Sequence, residues 1–514
     1  MNSVLAALLI TAGSTQGQAD VEPPPAAVAP AIPEATVPQV PAKPGAPQER
    51  LKILGQDIRL EAYQQFRALY ETGQYWQALP YAKRVVELSE HGEDPDYELP
   101  VAYNNLGATQ FQIGDYAGAT DSYQKSLDLL ETTQGISSRR LVVPLAGLGT
   151  VYAAQDQHAI AAGLYERALA VSRRADGLFN LQQVPLLRQA ADSRSAISDF
   201  AGAERAHQYA LKIAEQNYGY GDTRTIPALL ELGGFYENLH EYIAARLMYL
   251  RARDAALAAN PGFSPDAVTA LTGISRCHRL QYSLNPDTSE SAQPQRDEFT
   301  GDFAGRVFPE ARAPSPSADR TGLKAAQHAL ELVRSTPDPP VELVTQALLE
   351  LGDWFQVLAK PGQSMPYYVE VAALLDGRSA TDPLLAHPLR EPRMVFYRPP
   401  AGAPRKINAP AGSFVVRKTV FSFLVTEAGL PQDIAVVSSD MNESQLMLSR
   451  RAIARAIYSP RFAEGKAVAT AGVTFTSEWF DTAEEATPAD DAESTAKQPP
   501  AAETAVEPAS DPGT

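Results

Sequence analysis

The side chains able to do acid–base, nucleophilic or metal chemistry are few and scattered. The seven histidines, His91, His158, His207, His240, His278, His328 and His387, form no HExxH pair. No GxSxG elbow, phosphate-cradling glycine loop or paired-cysteine motif accompanies them. The single cysteine, Cys277, adjoins His278, and two donors are too few for a metal site. With one cysteine there is no internal disulfide, so stability must come from packing. We therefore expect no catalytic residue, no metal and no cofactor, which leaves recognition. The densest set of like charges is Arg450, Arg451, Arg455 and Arg461. Such a basic face suits an acidic partner or polyanion. It also suits the chain itself, since net charge is −12 over residues 51–387 and +5 over 388–480. Self-docking is the simpler expectation. An acidic body argues against nucleic acid as the main partner.

Stepping along the chain, one alanine recurs at a fixed interval. Ala78, Ala119, Ala161, Ala203 and Ala245 are separated by 41, 42, 42 and 42 residues. Three residues before each stands Tyr75, Tyr116, His158, Phe200 or Tyr242. Leu106-Gly107, Leu148-Gly149 and Leu232-Gly233 precede three of them. A constant long period means one supersecondary unit stacked many times. In the second unit, Tyr103, Leu106, Gly107 and Gln110 mark a first helix and Gly114-Asp115 a turn. Ala119, Tyr123 and Ser126 mark a second helix. Small residues at Gly107 and Ala119 let the two backbones approach, and Tyr123 fills the gap to the next unit.

This Leu-Gly, Tyr, Ala, Tyr, Ala progression resembles the tetratricopeptide repeat, and its length resembles the kinesin-light-chain type. The resemblance implies a mostly α solenoid of about seven helix pairs over 51–387, interrupted near 283–320 by a Pro/Ser-rich insertion expected to be disordered. It also implies a concave groove lined by the fifth, ninth and twelfth frame positions of the first helices. Among these are Tyr63, Arg67, Tyr70, Asn104, Phe111, Arg188, Asp192, Glu237, Arg276 and Arg279. Asn suits a peptide backbone, Arg a carboxylate and the aromatics an apolar side chain. The groove is thus expected to take a protein or peptide carrying an acidic residue or a free C-terminus.

The flanks differ in character. Val4 to Ile10 is a short apolar run before Gly17-Gln18-Ala19, which reads as a signal peptide over 1–19 and hence export. It is too short to span a membrane. Residues 20–50 read as a Pro/Ala-rich tether and 481–514 as an acidic disordered tail. Between 388 and 480, Thr419 to Thr426 alternates as a strand and Ile434 to Val437 follows as a second. Asn442-x-x-Gln445 opens a helix, and Val473 to Phe480 is a third strand. This β-β-α-β order, with Phe421-x-Phe423, Gly429, Arg461-Phe462 and Val473-x-Phe475, resembles the C-terminal domain of TonB-like proteins. The leading expectation is a non-catalytic scaffold of the bacterial envelope, periplasmic or secreted. An accessory part in TonB-type energy transduction is the alternative, and a hydrolytic enzyme the third.

Overall fold

The computed structural model describes residues 47–92, 94–284, 318–376, 387–400 and 414–482. The apolar start, most of the tether, most of the 283–320 insertion and the tail beyond 482 lie outside them. Fourteen of the described helices pair into seven hairpins. These are α1 (Pro47–Glu71) with α2 (Tyr75–Glu90), α3 (Pro95–Gln112) with α4 (Tyr116–Gln134), and α5 (Val142–Ala154) with α6 (His158–Asp176). Then come α7 (Gln183–Ala196) with α8 (Phe200–Tyr218) and α9 (Ile226–Asn238) with α10 (Tyr242–Ala259). The last two are α11 (Pro265–Leu284) with α12 (Ala318–Arg334) and α13 (Val341–Val357) with α14 (Pro361–Asp376). Helix α1 begins inside the segment read as tether, because proline is favoured at a first helical position and helix formers follow it.

The period acts through close packing. Ala78, Ala119, Ala161, Ala203 and Ala245 are all fully buried where paired helices cross. Each frame tyrosine lies against glycine. A Cβ on Gly107 would stand 3.1 Å from the Tyr123 ring, and Gly147 of the next unit closes on the same ring from the other side. Gly233 and Gly273 flank Tyr249 in the same way. The turn between paired helices repeats too. Gly73, Gly114, Asp156, Ser198 and His240, 41 or 42 residues apart, all have φ between 58° and 80°. That region favours glycine, so the third, fourth and fifth units hold a less comfortable residue in the same bend.

The small C-terminal domain has a three-stranded antiparallel sheet in the order β3-β2-β7, from β2 (Phe414–Val425), β3 (Pro431–Ser439) and β7 (Thr470–Thr482). Helix α15 (Glu443–Ala454) opens with the expected capping box: Asn442 Oδ1 accepts from Gln445 N at 2.9 Å, and Gln445 Oε1 from Asn442 N at 3.2 Å. The alternation in β2 buries Phe421, Phe423 and Val425 against Ile453, Ala456 and Tyr458. Two pairings go beyond the β-β-α-β reading. Strand β1 (Arg393–Phe396) pairs with β4 (Ile457–Ser459), and β5 (Arg461–Ala463) with β6 (Lys466–Val468). Strand β7 also runs past residue 480. Asp481 is buried there, taking Arg417 at 2.5 Å and Gln445 at 2.8 Å, so the domain includes a residue assigned to the tail.

Leu389 and Phe462 belong to the same continuous core as α4 through α14. The small domain is therefore packed onto the end of the solenoid.

Candidate functional site

The residues expected to line the groove change character from one end of the array to the other. In the first unit, Tyr63, Phe66, Tyr70 and Tyr75 form a chain of rings with centroids 5.1–6.1 Å apart. Burial pushes the Tyr70 hydroxyl up to about 12. Arg67 is exposed and donates to Glu71 at 2.6 Å. In the second unit Asn104 and Phe111 are half-buried, and Phe111 lies 5.8 Å from the Tyr116 ring. These residues form the apolar and amide-bearing end of the groove.

Charge enters at the fourth unit. Arg188 is exposed and pairs with Glu231 at 3.1 Å. Asp192, one turn on, is exposed but crowded by neighbouring protein atoms. Desolvation lifts its carboxyl to about 6 against the pull of Arg188, with Glu231 adding to the rise. Behind it, burial holds the His207 imidazole down to about 4, and Arg188 adds to that.

The cations of the sixth unit are placed differently from the sequence expectation. Arg276 forms a two-point pair with Glu237, one contact being Nη2 to Oε2 at 2.9 Å, and Tyr249 donates to the same carboxylate at 2.9 Å. Burial works to raise Glu237, but Arg276 outweighs it and leaves the carboxyl below its usual range. Arg279 is buried and donates to Glu350 at 3.0 and 2.9 Å, with Asp353 at 3.5 Å. Arg279 is closed to a partner's anion, and Arg276, a third exposed, is already held by Glu237. A charge removed from water must be matched, and here the preceding unit supplies the match for Arg276 and the next unit the match for Arg279.

Counting the frame onward from Leu351-Gly352 places Asp353 and Gln356 at the ninth and twelfth positions of the seventh unit. Both engage the C-terminal domain. Arg393 of β1 donates to Asp353 at 2.6 Å, and Tyr368 donates to the same side chain at 2.8 Å. Gln356 Nε2 donates to the carbonyls of Ala428 at 2.5 Å and Tyr458 at 3.1 Å. Arg279 adds a bond to the Val395 carbonyl at 3.3 Å. Gly429, at φ 80°, has no room for a Cβ beside the Tyr458 carbonyl and the Gln356 amide. The groove end is thus filled by the chain's own β1 and by the turn between β2 and β3. Arg279 is the last groove residue expected from the sequence, although the Leu351-Gly352 frame reaches Asp353 and Gln356.

The basic face is not what docks the domain. Arg450, Arg451 and Arg455 are exposed, and Arg461 is half-buried in β5. Arg450 donates to the Ile434 carbonyl at 2.7 Å. With Arg451, Met447 and Pro431 it borders a shallow open cleft of about 500 Å³. Docking runs instead through Leu389, Arg393, Gly429, Tyr458 and Phe462, because apolar contact and buried pairing outweigh long-range attraction between net charges. Cys277 is buried in the repeat core, which pushes its thiol up. Among the described residues no group of three His, Cys, Asp or Glu side chains is gathered as metal ligands would be.

The fold is a tetratricopeptide-type solenoid capped by a small α+β domain. The tetratricopeptide repeat family matches residues 145–175, which take in most of α5 and α6. No curated protein matches the chain. Among solved structures, BtubC from P. vanneervenii is similar at 16% identity over 54% of this chain and 95% of that one, with a TM-score of 0.36. A signal transduction ATPase with a tetratricopeptide repeat sensor from Pyrococcus horikoshii is similar at 15% identity over 64% of this chain and 45% of its own, TM-score 0.42. The quorum sensor NprR from B. thuringiensis is similar at 14% identity over 64% and 92%, TM-score 0.31.

Proposed function

We propose that this chain is a non-catalytic scaffold that holds a protein partner by an extended segment laid in the open part of the concave face, over the first five units. One observation carries the reading. At the sixth and seventh units, side chains at the groove-facing frame positions already hold extended main chain: Gln356 and Arg279 grip carbonyls, and Asp353 grips a guanidinium. Asn104 and Arg188 occupy the fifth frame position further up, beside the ninth and twelfth positions used by Asp353, Gln356 and Arg279. They offer an amide for main chain and a cation that can exchange Glu231 for a partner's carboxylate. Tyr63, Tyr70 and Phe111 offer an apolar bed. Export to the envelope is part of the proposal and rests on Val4 to Ile10 and the small residues after it.

The test is a pull-down from envelope extract with the full chain, followed by titration of the recovered partner. Asn104→Ala with Arg188→Ala should weaken binding about tenfold or more, since a charge-assisted bond alone contributes about 1.5–3 kcal/mol. Unchanged affinity would remove the groove from the reading.

A further inference from the structure

One edge of the solenoid carries large apolar residues that the other described residues leave largely exposed. Ile136, Leu178 and Tyr220 are spaced 42 residues apart and occupy the same place in three successive units. They are 71%, 59% and 74% exposed. Each directly follows the glycine that ends a second helix: Gly135 after α4, Gly177 after α6 and Gly219 after α8. Isolated exposed apolar residues need no account, but a repeated row does.

The turns bearing this row are fixed in place. Arg174 of α6 donates to Ser137 Oγ at 2.7 Å. From α8, Tyr209 donates to the Leu178 carbonyl at 2.6 Å and Asn217 to the Phe179 carbonyl at 2.8 Å. Arg251 of α10 lies 4.2 Å over the Tyr220 ring. Each turn is thus bolted to the second helix of the following unit, and its apolar tip is presented rather than tucked away. Packed helices stand about 8–10 Å apart, so the tips recur roughly every 16–20 Å. They form a line of separate protrusions, one per unit.

Charge follows the same edge. Over the equivalent stretches 131–141, 173–183 and 215–225, Arg139 pairs with Asp176 and Arg224 with Asp222, while Arg167 and Arg251 take Glu131 and Glu215, which leaves Arg140, Arg173 and Arg174 as the excess of charge. The whole chain carries −17. The turn after the first unit is acidic, with Glu90, Asp94, Asp96 and Glu98, and so bounds the basic stretch.

From this geometry we infer that the edge formed by the 135–141, 177–183 and 219–225 turns rests on an anionic lipid surface. The three apolar tips enter the headgroup layer, and the excess cations Arg140, Arg173 and Arg174 attract lipid phosphate. Protruding tips spaced along a line match a broad flat surface, whereas a peptide would need a continuous trough. Interfacial binding of this kind combines buried apolar area with attraction to anionic lipid.

The experiment is co-sedimentation of the full chain with phosphatidylcholine vesicles and with vesicles also containing phosphatidylglycerol. Binding is expected to the second and to fall as salt rises. Ile136→Ser with Leu178→Ser and Tyr220→Ser should weaken it about tenfold or more while circular dichroism stays unchanged, because these side chains are exposed. Failure to bind the anionic vesicles overturns the inference, as does equal binding by the triple variant. If the triple variant instead loses a protein recovered by the parent chain and vesicle binding is absent, the edge is a protein-docking surface and the lipid assignment is wrong. None of these outcomes involves Asn104 or Arg188, so the groove reading stands or falls separately.

Discussion

Arg188 and Arg276 occupy groove-facing positions of one repeating frame, yet their removal should have opposite consequences. Arg188 is exposed, and its pair with Glu231 lies near solvent. Such pairs contribute about 0–1 kcal/mol, so Arg188→Ala should leave urea unfolding nearly unchanged. Arg276→Ala leaves Glu237 buried beside Tyr249 with no cation. Losing one partner of a fully buried pair costs about 3–5 kcal/mol. A third of the Arg276 side chain meets water, so a loss of about 2–3 kcal/mol is expected. Equal unfolding midpoints for the two variants would contradict the burial described here. The sequence showed which face each arginine shares, but depth was not legible. The partners of Arg276 and Arg279 are 39 and 71 residues away, and no local pattern announces contacts at that separation.

At the scale of the element, glycine sorts by what surrounds it. Gly149 of α5 faces the Tyr165 ring, where a Cβ would come within 2.6 Å. Gly163 of α6 faces open space. Alanine is the better helix former by about 1 kcal/mol, so Gly163→Ala should stabilise the array by about 0.5–1 kcal/mol. Gly149→Ala gains the same propensity but overpacks the crossing, and should destabilise by about 1–3 kcal/mol net of that gain. Thermal melts of the two variants should move in opposite directions. This level of the fold was the most legible in the sequence. Each unit touches only its neighbours, so the Tyr–Gly and Ala contacts recur at a countable interval. The same holds for Thr419 to Thr426 and for the Asn442 capping box, which are local patterns. Strands β1, β4, β5 and β6 have three or four residues each and carry no readable period. The β1–β4 pair joins Arg393 to Ser459 across most of the domain, so only the folded chain reveals it.

For the whole molecule, the junction matters most. The C-terminal domain shares Leu389 and Phe462 with the solenoid core and sits over the ion group of Arg279, Glu350 and Asp353. A chain ending after Asp376 should therefore lose protection in α13 and α14. Hydrogen exchange there should speed up by an order of magnitude or more, as buried charges lose part of their enclosure, while α3 to α8 exchange as before. Uniform protection along both chains would mean that the domain is merely tethered. A fragment beginning at Leu389 gives up the same contacts, so its independent folding, natural to expect from its size, should be impaired.

The seating of β1 and the β2–β3 turn in the groove gives the molecule a direction. A solenoid open at both ends could let a partner chain slide through, gripped alike at any register. This one is a blind alley. In the binding mode proposed above, a segment that enters over α1 and α3 would meet Arg393 and Val395 at the far end and go no further. Whatever lies in such a channel is held at a defined offset from its leading end, and the number of open units, rather than the strength of any contact, fixes how much of it can be read.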